Sequence, residues 1–196
     1  MLDNNDINKY SKNQLAHYFS YVPQVKSYSF SYNVLDIVLM GRTVFMNKFN
    51  TPNDKDIEIA KHSLALVGMD NRITDIYSQL SSGEQQMVLL ARAICQESKF
   101  MLLDEPTSNL DYKNQKKFLE LIIDLKKSGK GIIMVSHDPN HAEICSDYTL
   151  LLQSAECHII GKTEKIITTD NLRNTYGIDV RIHSNKDNSK RDINFM

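Results

Sequence analysis

An apolar run, Phe100-Met101-Leu102-Leu103, ends in two neighbouring carboxylates, Asp104-Glu105, followed by Pro106. About 20 residues earlier stands a small-residue turn, Leu80-Ser81-Ser82-Gly83-Glu84-Gln85-Gln86. Parallel α/β sheets present ligand groups at the C-terminal ends of their strands, which is where this carboxylate pair would lie. Asp104 could hold Mg²⁺ through its water shell, while Glu105 could orient or deprotonate a water attacking a γ-phosphate. An ordinary strand-end turn at Pro106 accounts for the same residues. The Ser81 turn opens a helix, where backbone N–H groups and the dipole end favour a phosphate, and the Ser81 hydroxyl adds a donor. A plain capping box from Ser81 to Glu84 is the competing explanation. The series continues with Ser108-Asn109-Leu110-Asp111 and with a later apolar strand ending in Ser136-His137, and such an order seldom arises by chance.

The elements that position these residues read as α/β. Ser11 or a neighbour caps a short helix through about Tyr18, and Tyr18 to Val22 is a β-rich run stopped at Pro23, which sets Gln24 just beyond a strand. Residues 33 to 80 read as mainly helical. A segment from Asn33 to Met40 ends at Gly41-Arg42, read as a helix stop with a solvated charge or as a contact to a partner. Ile57, Ala60, Leu64 and Val67 recur at helical spacing, with Gly68 as the stop. Met87, Leu90, Ala91 and Ile94 mark the helix after the Ser81 turn. A strand at Phe100 to Leu103, a helix from about Lys113 to Lys127 and a strand at Ile132 to Val135 make a β-α-β unit. Strands at Tyr148 to Leu152 and His158 to Ile160 precede a polar C-terminus, loose from Ser184 to Arg191.

With 23 basic and 24 acidic residues in 196, the chain lacks the positive field of a nucleic-acid binder, so nucleic acid is excluded as a partner. Cys95, Cys145 and Cys157 are odd in number and have no metal spacing, which suits a reducing compartment. No stretch approaches the roughly 18 apolar residues of a bilayer span, and the Met1 terminus has no basic flank or apolar leader. Membrane association is therefore expected only through a partner protein.

On these residues the chain resembles the ATP-binding subunit of an ABC transporter, from about Ile7 to Val180. The resemblance implies a P-loop NTPase-like core sheet flanked by helices, with a helical signature subdomain at about 33–95. It implies a partial ATPase domain over 1–183 and a polar tail over 184–196. Leu80 to Gln86 becomes the signature motif, Phe100 to Glu105 the Walker B strand, and Ser108 to Asp111 the D-loop. Asp104 and Gln24 are implied Mg²⁺ residues, with Gln24 as the Q-loop glutamine. Glu105 is the implied catalytic carboxylate, and His137 the switch histidine that braces the γ-phosphate. Two such subunits sandwich ATP, so Ser81, Gly83 and Asp111 are implied to face a partner's site. Mg²⁺ is the implied cofactor and ATP the substrate. The implied partners are a second ATPase subunit, identical or not, transmembrane permease subunits and, indirectly, a periplasmic or lipoprotein substrate-binding protein. The implied location is the inner face of the cell membrane. Tyr21-Val22-Pro23-Gln24, Val34 to Arg42, Val67-Gly68-Met69 and Tyr176-Gly177-Ile178 are similar to importers of iron-siderophore, haem or cobalamin type, with iron chelates as the expected cargo.

The sequence departs from the family at one large feature. No Gly-x-x-x-x-Gly-Lys-Ser/Thr segment occurs in it, and Met1 reads as starting after that loop, a truncation before or at the Walker A region. Gly161-Lys162-Thr163 is a decoy: Glu156 stands where the first glycine belongs, and a hairpin turn is expected there. Without the loop's lysine and N–H groups, autonomous hydrolysis is not expected. Ser82 replaces the family's usual glycine and adds a Cβ where phosphate approaches. Two alternatives follow: a non-catalytic half-site donor that pairs with an intact ATPase, and a gene remnant.

Overall fold

The computed structural model describes residues 2, 4–24, 31–46, 51–154, 157–184 and 191–196. Its contacts divide the chain into a first unit, Met1–Val135, and a second, Ser136–Met196.

In the first unit Ser11 starts α1 (Lys12–Tyr18) with a complete capping box: its Oγ accepts from the Gln14 N–H, and its own N–H donates to Gln14 Oε1. β1 (Phe19–Val22) follows directly. With β2 (Phe100–Asp104) and β3 (Gly131–Val135) it forms a parallel sheet in the order β1-β2-β3. The register pairs Phe19 with Phe100 and Asp104 with Val135. α5 (Tyr112–Lys127) is the crossover between β2 and β3, as the β-α-β pattern requires. The pleat turns Ser20, Val22, Met101 and Leu103 to a buried face, while Tyr21, Ile133 and Val135 stand exposed on the other.

The helical part comprises α2 (Val34–Leu39), α3 (Asp54–Leu66) and α4 (Ser82–Cys95). Val34, Val38, Ala60, Leu64, Val88 and Leu89 are buried where these three pack together. α4 is buried without interruption from Gln85 to Ala91, so its apolar residues run almost continuously instead of forming a stripe. Gly68 takes φ +71° just past α3, as its helix-stop role demands.

The Gly41-Arg42 pair is a correction: it neither ends the helical path nor carries a solvated charge. α2 continues into a 3-10 turn, Met40–Phe45. A Cβ on Gly41 would lie 2.4 Å from the Arg92 carbonyl oxygen, so only glycine lets this turn rest on α4. Arg42 is buried. Its Nε donates to Asp56 Oδ1 at 2.9 Å, and Nη1 donates to the Cys95 carbonyl at 2.9 Å and to Glu97 Oε2 at 2.6 Å. The guanidinium also lies 4.1 Å from the Phe45 ring centroid. Burial opposes the charge of Arg42, but the hydrogen bonds to Asp56 and Glu97 outweigh it and raise the pKa. Burial likewise pushes the Asp56 carboxyl up, and the hydrogen bonds from Arg42 and the Asn53 N–H bring it below the ordinary aspartate value.

The second unit holds α6 (Pro139–Cys145), the antiparallel pair β4 (Tyr148–Leu152) and β5 (His158–Lys162), α7 (Thr163–Ile166), α8 (Thr169–Tyr176) and the antiparallel pair β6 (Val180–Ser184) and β7 (Arg191–Phe195). Its core is Leu151, Ile166, Ile167, Leu172, Val180 and Ile193. Two expectations change here. Gly161 and Lys162 lie within β5, paired with Thr149 and Tyr148, and the chain then enters α7, so no hairpin turn forms at that point. Arg191–Phe195, in the stretch read as a polar tail, is a strand whose Ile193 enters the core.

Candidate functional site

β2 delivers Asp104 and Glu105 to the C-terminal end of the middle strand. The Glu105 N–H donates to the Val135 carbonyl at 3.0 Å, extending the ladder to β3 by one residue. Glu105 has φ +42°, a left-handed backbone unusual for a side-chain-bearing residue and typical of strain held at functional positions. The turn that follows closes on its carbonyl, which accepts from Ser108 Oγ at 2.9 Å and from the Ser108 N–H at 3.2 Å.

Residues from the end of β1 meet this turn. The Tyr21 hydroxyl donates to Asp104 Oδ2 at 3.0 Å, and Gln24 Nε2 donates to Ser108 Oγ at 3.4 Å. Gln24, Asp104 and Glu105 are thus gathered at one end of the sheet. Tyr21 and Ser108 were not foreseen as site residues. The signal for Tyr21 was its parity: on a parallel register its side chain shares the pleat face of Leu102 and Asp104.

The donor set fits Mg²⁺. Tyr21 occupies Asp104 Oδ2, and Gln24 points its amide nitrogen at Ser108, leaving Asp104 Oδ1 and the Gln24 amide oxygen as hard oxygen ligands. No group of three or more His, Cys, Asp or Glu suited to a metal exists among the described residues.

At the start of α4 the capping box forms in full. The Ser81 N–H and hydroxyl both donate to Glu84 Oε2, at 3.0 and 2.7 Å, and Ser81 Oγ accepts from the Glu84 N–H. Those bonds from Ser81, with Arg72 beyond them, hold the Glu84 carboxyl below its ordinary pKa. The Ser81 donors that would meet a phosphate are therefore engaged by a carboxylate that occupies the same positive helix end. Gly83 packs on the Ser108 to Asp111 run: a Cβ there would lie 3.3 Å from the Asn109 carbonyl oxygen. Asp111 caps α5, its Oδ1 accepting from the Asn114 N–H at 2.8 Å. Gly83 is thus brought against Asn109 and Leu110, next to Asp111 in the sequence.

Ser81→Ala is expected to raise the Glu84 pKa and to destabilise the first unit by about 1 kcal/mol. Because folding depresses this pKa, the stability it contributes is complete above the ordinary glutamate value and is lost as pH falls through the folded one. The deficit of the variant should thus be largest near neutral pH and fade in acid. Carboxyl ¹³C titration with urea unfolding reads both effects, and an unmoved Glu84 titration would refute the assignment.

His137 belongs to the second unit, in the loop before α6, and its carbonyl accepts from the Tyr176 hydroxyl at 3.3 Å.

Comparison with known proteins supplies the family. A family model described as "ABC transporter" matches residues 1–108. An uncharacterized ABC transporter ATP-binding protein of Haemophilus influenzae is 37% identical over 170 residues, 87% of this chain and 65% of that protein. A Helicobacter pylori ATP-binding protein named for iron chelatin transport is 36% identical over 186 residues, 93% of this chain and 73% of that protein. A solved structure described as an inward-facing ABC transporter of metal-chelate type superposes with a TM-score of 0.82 at 35% identity, over 91% of this chain and 72% of that one. Against three of the relatives it matches, the chain spans 65, 60 and 63% of their length. By the extent of these matches in sequence and in fold, the chain belongs to the ABC transporter ATPase family.

Proposed function

We propose that the chain is an ATP-binding subunit of an ABC importer, coupling ATP binding and hydrolysis to uptake of a metal chelate of iron-siderophore type. The observation that carries this reading is the meeting of Gln24, Ser108, Asp104 and Glu105 at one end of the parallel sheet. Asp104 and Gln24 would hold Mg²⁺, which when bound neutralises phosphate charge. Glu105 orients the attacking water and takes its proton, and His137 braces the γ-phosphate. Ser81, Gly83 and Asp111 complete the site of a second ATPase subunit, and permease subunits and a substrate-binding protein complete the transporter. No helix among the described residues is long and apolar enough to cross a membrane, so the permease is the proposed route of membrane attachment. The relatives named for iron chelatin and metal-chelate transport support the cargo class.

The half-site reading is supported by one feature, the packing of Gly83 against Asn109 and Leu110, with Ser81 and Asp111 both exposed. Phosphate release from Mg²⁺-ATP by the chain, by an intact metal-chelate importer ATPase, and by the two mixed tests the pairing. Turnover of the mixture is expected to exceed the summed rates of the two alone, and Ser81→Arg is expected to abolish the excess. Rates that merely add would remove the pairing.

A further inference from the structure

Three consecutive residues at the start of the second unit are each held from a different side. Ser136 Oγ lies 2.9 Å from His141 Nδ1 and accepts from the Asp138 N–H at 3.1 Å. The His137 carbonyl takes the Tyr176 hydroxyl. Asp138 Oδ1 accepts from the Asn140 N–H at 2.9 Å and from Asn140 Nδ2 at 3.0 Å. The tripeptide that carries the His137 imidazole is thus held through the side chains of Ser136 and Asp138 and through the backbone at the His137 carbonyl and the Asp138 N–H.

Two of those pins lead to β7. Asn140 Nδ2 also donates to the Ile193 carbonyl at 3.1 Å, and Asn140 Oδ1 accepts from the Ile193 N–H at 2.9 Å. A side-chain amide here exchanges both hydrogen bonds with a strand residue, as a paired strand would. One turn further along α6, Glu143 receives Arg191 in a bidentate pair, both distances 2.8 Å, with the Glu143 side chain buried. At the far end of β7, Phe195 meets the Tyr176 ring edge to face with centroids 5.4 Å apart. Ile193 itself is buried in the core of the unit, which anchors β7. A strand in the segment that reads as a polar tail therefore grips α6 at two points and backs Tyr176 at a third.

We propose that β7 is a positioning element for His137: through Asn140 and Tyr176 it fixes the backbone that presents the imidazole. The inference rests on His137 as the residue that braces the γ-phosphate, and assigns Asn140 and Tyr176 no contact with ATP. The chemistry is geometric. A brace on a transferring phosphoryl group works only when held in place beforehand, and a displacement of about 1 Å can cost two orders of magnitude in rate.

The test uses the full chain labelled with ¹³C at histidine, and His137→Gln identifies the His137 Cε1–H signal by its disappearance. Tyr176→Phe removes one hydroxyl while keeping the ring on Phe195, and Asn140→Ala removes the clasp on Ile193. Both are expected to shift and broaden the His137 signal. Arg173→Ala breaks the exposed Arg173–Asp179 pair, 2.9 Å, in the same unit and should leave the His137 signal where it is. An unmoved signal in folded Tyr176→Phe would overturn the proposal, as would an equal shift in Arg173→Ala. If the wild-type mixture releases no phosphate while the signal still moves in the two variants, the positioning stands and the functional reading falls. Turnover with an unmoved signal gives the reverse result.

Discussion

Arg42→Met is expected to cost the first unit about 3–5 kcal/mol at neutral pH, the loss usual when one partner of a buried ion pair is removed. Arg42 and Asp56 are both buried, so the variant leaves a carboxylate in the interior without its counter-charge. The Cys95 carbonyl loses its donor in the same step. Asp56 is held below its ordinary pKa by Arg42 and Asn53, against burial, and removal of Arg42 lets burial raise it. The stability that the depressed pKa contributes is full above the ordinary aspartate value and is lost as pH falls through the folded value. Wild type and variant should therefore converge in acid. Urea unfolding at pH 7 and well below pH 4 reads this, and a pH-independent gap would sink the electrostatic explanation. Adding Asp56→Leu to Arg42→Met should recover much of the loss, because an apolar pair of similar volume often matches a buried ion pair.

The second large effect concerns Glu105. In any Mg²⁺-ATP turnover that this chain's own site supports, Glu105→Gln and Glu105→Gly should each lower phosphate release by about 10²–10⁴-fold, the usual worth of a positioned general base. Their stabilities should part company. Glutamine keeps the left-handed backbone at φ +42° and its strain, whereas glycine adopts that region freely and is expected to raise stability by about 1 kcal/mol. A Glu105→Gly chain that is no more stable would show that the surrounding turn, with its bonds to Val135 and Ser108, carries no strain. If the unmodified chain alone releases phosphate no faster than Glu105→Gln, autonomous hydrolysis is eliminated.

The parts legible in the sequence were those fixed by near neighbours. Ser81 and Glu84 are three residues apart and formed the capping box that the spacing offered, and Ser11 caps the short helix expected there. The apolar runs at 19–22, 100–104 and 131–135 likewise paired as a parallel sheet around the β-α-β crossover. What escaped reading depends on distant partners. Arg42 resembles a surface charge until Asp56 of α3 and Glu97, just past α4, are brought to it. Gly161-Lys162 reads as a turn because glycine beside a polar residue is ambiguous, and only pairing with Tyr148 and Thr149 makes it strand. Tyr21 and Asp104 are more than 80 residues apart, and their hydrogen bond follows from register, which no local pattern encodes.

That separation has a consequence during synthesis. Phe19 pairs with Phe100 about 80 residues later. At roughly 5–20 residues per second, β1 has left the ribosome for roughly 4–16 s before its partner strand exists. α4, which also covers β1, ends at Cys95, only a few residues before β2 begins. Cover and partner thus reach β1 almost together. Throughout that interval Phe19, Tyr21 and Val22 lack their partner strand, an aromatic-rich segment suited to a nascent-chain chaperone.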